Sequence, residues 1–178
     1  MKITGKRTNH WSEGGLTYIH GGKLSLISLP PASLNSSVGR LRLKIMIASA
    51  EEFYRLRTSE IMQEYNRAAH NDAPLEVWLE VIEKFPEMRC WVAHNKTVPV
   101  EILEILSRDK DPRVRSFVAM KRKLPEHLQI LLAQDKDCSV RERLANNAKA
   151  TDLVLRILAE DVELRIREKA KARLSEIA

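Results

Sequence analysis

Cys90 and His94 stand four residues apart in a stretch with helical spacing. That spacing puts a thiol and an imidazole on one helix face, where they could share a metal ion. His70 holds the place equivalent to His94 one unit earlier, but Met120 and then Asn146 hold it in the units that follow. The fold therefore does not demand imidazole there. A metal site needs two further ligands, and no second close pair supplies them. Nucleophilic chemistry is no better served. Serines and histidines occur, but no strand–turn–helix G-x-S-x-G element and no phosphate-binding loop exists to aim them. The carboxylates Asp109 and Asp111 fall at a predicted helix start, where capping explains them. No metal, no cofactor and no enzymatic activity is expected.

Two ladders of charge remain. Arg89, Arg115, Arg141 and Arg167 recur at one spacing, and Asp109, Asp135 and Asp161 lie six residues before the last three of them. Such arginines could bind phosphates or acidic partners. Arg–Asp pairing within or between units is the more economical reading, because the planar guanidinium fork matches a carboxylate in turns of this kind.

The elements that carry these residues form a repeat. Residues 88–111 (MRCWVAHNKTVPVEILEILSRDKD), 114–137 and 140–163 align at a shift of 26, and a partial copy begins at Ile166. Met88, Val114, Val140 and Ile166 are in step, as are Ala93, Ala119 and Ala145. So are Ile105, Leu131 and Ile157, with Leu106, Leu132 and Leu158 beside them. An earlier, less regular unit shows Ala69-His70-Asn71 and then PLEVWLEVIEKF, which needs a gap of two residues. Residues 48–68 supply a further helical pair.

Ile102, Ile105 and Leu106, like Val114, Phe117 and Val118, follow the i, i+3, i+4 pattern of a helix. Asp111-Pro112 reads as N-cap and N1, and Ser49 with Glu52 as a capping box. Helix pairs this short cannot bury their own apolar faces, so neighbours must stack. The expected fold is all-α: a right-handed α-solenoid of about four to five helix pairs of ~26 residues.

The net charge of +6 sits in residues 1–45, which hold seven basic residues and one acidic. The remainder balances 23 basic against 23 acidic side chains, so a domain-wide electrostatic footprint for nucleic acid is missing. Residues 1–45 also carry Gly14-Gly15, Gly21-Gly22, Pro30-Pro31 and a serine-rich run, with no sustained period. Three origins are open for them: sequence upstream of a start at Met46, a disordered arm, or a targeting segment. The repeat domain is placed at 46–178. Cys90 and Cys138 are too few for a disulfide framework and suit reduced thiols in a cytoplasmic protein. No stretch approaches the ~20 apolar residues of a membrane span.

With its VR…VA/LA…N…P…L..L..D layout, the run from Met88 to Asp161 resembles leucine-rich repeat variant units and, more loosely, HEAT-like repeats of bacterial proteins. Some variant-repeat proteins carry an iron–sulfur cluster in a cysteine-rich N-terminal segment; residues 1–45 have no cysteine, so that feature does not transfer. The AHN and PLEV…PEMR stretches are similar to those of small bacterial immunity-type or stand-alone HEAT-repeat proteins, and the immunity likeness implies a toxin as partner.

The leading expectation is a non-catalytic protein-binding module. Val114, Phe117, Val118 and Lys121 are expected on the packed stripe, with Trp78 and Trp91 in the core. The opposite strip carries Cys90 and His94, then Ser116 and Met120, then Glu142 and Asn146, and differs from unit to unit while the core repeats. The alternative is a HEAT-like nucleic-acid-binding protein or DNA glycosylase that uses the basic residues Arg113, Arg115, Lys121, Arg122 and Lys123.

Overall fold

The computed structural model describes residues 46–177; the expectations for residues 1–45 lie outside them. Among the described residues the chain is all-helical, with no strand. Ten α-helices follow one another: α1 (Ala50–Thr58), α2 (Met62–His70), α3 (Leu75–Lys84), α4 (Arg89–His94), α5 (Val100–Leu106), α6 (Pro112–Ala119), α7 (Glu126–Ala133), α8 (Cys138–Ala145), α9 (Asp152–Leu158) and α10 (Leu164–Ile177). A 3₁₀ turn, Pro86–Met88, leads into α4. None of these helices is long and apolar enough to cross a membrane.

Most of these helices are too short to persist alone in water, where fewer than ~12–15 residues is marginal. Packing supplies what propensity cannot. Helix α6 lies between α4 and α8, and α8 also meets α10; α3 meets α1 and α5, and α7 meets α9. Apart from α2, each helix is thus braced by a helix two places away as well as by a sequence neighbour.

The 26-residue registers fill the core. Met88, Val114, Val140 and Ile166 are all buried, as are Ala93, Ala119 and Ala145, and Leu106, Leu132 and Leu158. Val98, Leu124 and Ala150 form a further buried register ahead of the odd-numbered helices. The register of Ile105, Leu131 and Ile157 departs from expectation: Ile105 is exposed and the other two are half-buried. Those side chains sit one position off the contact line, so identity there reflects helix periodicity rather than burial.

Caps start the helices as read. Ser49 Oγ accepts from the Glu52 amide at 3.1 Å, while the Glu52 carboxylate takes the Ala48 amide at 2.8 Å. Asp111 and Asp137 cap α6 and α8 through the amides of Arg113 and Ser139.

The helix C-termini are the unusual part. All six glycines precede Met46, so the left-handed glycine cap is unavailable to every helix described. The carbonyls at the ends of α2, α4, α6 and α8 are met instead by side chains from the following unit. Asn95 Nδ2 donates to Ala68 O and Asn71 O at 2.8 and 3.0 Å. Lys121 Nζ donates to Asn95 O. Asn147 Nδ2 donates to Ala119 O and Lys121 O at 2.7 and 2.9 Å, and Arg173 to Ala145 O and Asn147 O at 2.9 and 2.7 Å. Residues 95, 121, 147 and 173 are spaced by 26, so one structural position is filled by three residue types with one task.

The other end of the even-numbered helices carries the Arg–Asp ladder. Arg115 grips the Asp135 carboxylate with two nitrogens at 2.6 and 2.8 Å, and Arg141 grips Asp161 at 2.7 and 3.0 Å. Arg89 reaches Asp109 at 3.4 Å. A remaining nitrogen of each later arginine donates backwards, from Arg115 to Asp109 O, from Arg141 to Asp135 O and from Arg167 to Asp161 O. The aspartates in turn accept the amides of Asp111, Asp137 and Glu163 two residues on. Arg115 and Arg141 therefore each join the turn before their own helix to the turn of the next pair. The paired guanidinium of Arg141 holds the Asp161 carboxyl below its ordinary range.

Breaking such a buried pair strands the remaining charge, at a cost of about 3–5 kcal/mol. Asp135→Ala is expected to lower unfolding free energy in urea by about 3 kcal/mol. Asp152→Ala, which removes the exposed pair with Arg156, is expected to cost less than about 1 kcal/mol. Equal losses would show that the ladder carries no special weight.

Candidate functional site

At the Arg–Asp end of α4, α6 and α8, these helices and the turns before α4 and α6 line a groove of about 750 Å³. That volume lies in the range of small-molecule and peptide-anchor sites. The repeat places its lining: Cys90, Trp91, Ser116, Phe117 and Met120 come from α4, α6 and the residue after it, with Arg143 from α8. Three of the strip residues, Cys90, Ser116 and Met120, therefore do come together. Burial, more than the nearby Asp111 carboxylate, pushes the Cys90 thiol up and makes it a poor nucleophile at neutral pH.

His94 stands at the rim rather than in the groove. It packs edge-on against Trp91 and Phe117, with centroids 6.0 and 5.9 Å away, and those two rings are 6.1 Å apart. Partial burial, then the charges of Lys121, Arg57, Lys96 and His70, lower its pKa and keep the imidazole neutral. Glu142 and Asn146 are not in the groove lining. Glu142 pairs with Arg165 at 3.4 Å, and Asn146 donates to Glu142 O at 2.9 Å. Among the described residues no three of His, Cys, Asp and Glu gather as a metal ion requires.

The sequence reading placed Trp91 and Phe117 in the core, and the structure corrects both. Trp78 is fully enclosed, but Trp91 and Phe117 are only half-buried and form the groove wall. Both occupy one register, continued by Arg143 and Lys169. A register that changes from aromatic to basic cannot be a uniform core position, and that change was the available signal.

A second residue missed from the sequence is Arg57. Its guanidinium carbon lies 3.3 Å from the Trp91 ring centroid and 3.8 Å from that of Tyr65, so the plate is held between two rings. Burial pulls this guanidinium down from its usual value.

The five basic residues of the nucleic-acid alternative do not share a surface. Arg113 is exposed and paired with Asp111 at 2.8 Å. Arg115 is a correction: it is buried in the ion pair with Asp135 and presents no charge to a ligand. Lys121, Arg122 and Lys123 follow the far end of α6. With Lys96 they line a second groove, of about 820 Å³, floored by Val98, Leu103 and Met120 and containing no carboxylate. No family model matches the chain, and no curated protein or solved structure matches it either.

Lys121 is itself half-buried, and burial pulls its pKa from 10.5 to about 8. The folded value lies below the unfolded one, so between them the unfolded chain binds more protons. Stability from this group therefore rises with pH across that window. Wild type is expected to gain on the order of 1–2 kcal/mol over Lys121→Met between about pH 7.5 and about pH 10, after allowance for solvent screening. Urea midpoints of both proteins across that range test it; a constant difference would mean that Lys121 titrates as an exposed lysine does.

Proposed function

We propose that the described helices form a right-handed α-solenoid of four to five HEAT-like or leucine-rich-repeat-variant units that works as a non-catalytic protein-binding module. The observation that carries this reading is the aromatic-walled groove on the even-numbered helices. Trp91 and Phe117 stay half-exposed in a groove while the registers of Val114, Ala119 and Leu132 are buried, and large aromatics in a groove are what hot spots are made of. The strip beside them varies from unit to unit while the Arg–Asp ladder does not, as a surface selected for one partner would. A toxin neutralised by an immunity-type protein is one such partner. A cytoplasmic setting fits the two free cysteines.

The test is affinity capture with the full chain, in parallel with Phe117→Ser and an odd-row control, Glu101→Ala. A partner retained by wild type and by the control, but lost with Phe117→Ser, supports the groove. Retention by all three places binding elsewhere.

The second reading, nucleic-acid binding, is favoured by the carboxylate-free groove of Lys96, Lys121, Arg122 and Lys123. Base excision is not favoured by it, since that groove offers no carboxylate for acid or base chemistry. A labelled duplex retarded at low salt and released as salt rises is expected under this reading. No retardation at low salt removes it.

A further inference from the structure

The interior arginines of this fold spend their nitrogens on the fold. Arg115 and Arg141 bind carboxylates and backbone carbonyls; Arg167 and Arg173 bind carbonyls. Arg57 spends none. Nε is closed off from solvent without a hydrogen-bond partner, and the two terminal nitrogens, which are not closed off, make no hydrogen bond. No carboxylate among the described residues pairs with it. Tyr65 and Trp91 nevertheless clamp its plane from both sides. A long side chain held by two rings has already lost its rotamer freedom, so a ligand that takes its fork pays little further entropy.

Trp91 also lines the groove, so the Arg57 fork and the apolar wall share a residue. The charge around them is lopsided. Asp109 pairs with Arg89 and Asp111 with Arg113, and beyond the lining Glu142 pairs with Arg165. Lys110 and Arg143, which line the groove, have no carboxylate partner; Glu87 is the one lining carboxylate left unpaired among the described residues. A ligand complementary to this surface brings negative charge beside an apolar side chain.

Resting on the binding-module reading above, we infer that the groove takes a polypeptide segment in which an aspartate or glutamate neighbours an aromatic or aliphatic residue. The carboxylate is received by the Arg57 fork and the apolar side chain lies against Trp91 and Phe117. A planar fork gives two parallel charge-assisted hydrogen bonds to a carboxylate, which a lysine in its place cannot reproduce.

Panning the immobilised full chain against a phage-displayed library of random linear peptides tests this without knowledge of the natural partner. Enriched peptides are expected to carry an acidic residue next to an apolar one and to lose binding to Phe117→Ser. Fluorescein-labelled copies, measured by anisotropy, are expected to bind Arg57→Leu at least about tenfold more weakly. Changing the peptide's acid to its amide in wild type should cost a similar factor, with little added loss when both changes are combined. The amide arm keeps the test intact if Arg57→Leu, checked by circular dichroism, does not fold. Groove-dependent peptides with no acidic preference would sink this inference and leave the binding module standing, as would acidic peptides indifferent to both changes. Failure to enrich any groove-dependent peptide would overturn both.

Discussion

A helix end leaves its last carbonyls without partners, and a chain with no glycine after residue 39 cannot turn back on itself to satisfy them in the usual way. This constraint organises the molecule. The missing donors come from the next unit, through Asn95, Lys121, Asn147 and Arg173. A helix of six to eight residues is completed only when its neighbour docks, so local structure and stacking become one event. The Arg–Asp ladder does the same at the opposite end of α6 and α8, where the guanidinium of Arg115 and that of Arg141 each link two successive turns.

With both ends of the even-numbered helices tied down, the face between them is left free of structural duty. Its side chains can change from unit to unit without disturbing the stack, and they do. Cys90 gives way to Ser116 and Glu142, and Trp91 to Phe117 and Arg143. Half-exposed rings on such a face are expensive to keep in water, since apolar surface there is worth about 25 cal/mol per Å² when buried. Arg57, on α1, reaches that face through the Trp91 ring. A guanidinium with no backbone carbonyl to cap and no aspartate to bind is held in place by aromatic faces alone.

Much of this was open to reading before any coordinates. The six-residue offset repeated three times pointed to Arg–Asp pairing without fixing which aspartate each arginine takes, and the N-caps at Ser49 and Asp111 followed from the residues before each apolar run. The row of carbonyl donors at residues 95, 121, 147 and 173 was not visible, because Lys121 and Arg173 stand where the other units have Asn95 and Asn147. Chemically different donors reach the same carbonyls, and an identity count does not register a shared task. Ile105 misled in the opposite direction, being alike across units yet exposed. The nucleic-acid residues were grouped by closeness in sequence, but Arg113 and Lys121 lie at opposite ends of an eight-residue helix.

The sequence by itself determined the helical class, the 26-residue period and that the repeating arginines meet aspartates. These follow from spacing, and spacing is a property of the chain. Tertiary structure alone decided which half of each amphipathic face meets a neighbour and which meets water. It set Trp91 and Phe117 on a groove wall, took Arg115 out of reach of any ligand, and brought Arg57 against a ring 34 residues away in sequence. Those outcomes depend on how helices two places apart rotate against one another. A rotation of one residue position would turn the groove wall into core and leave every periodicity in the sequence unchanged.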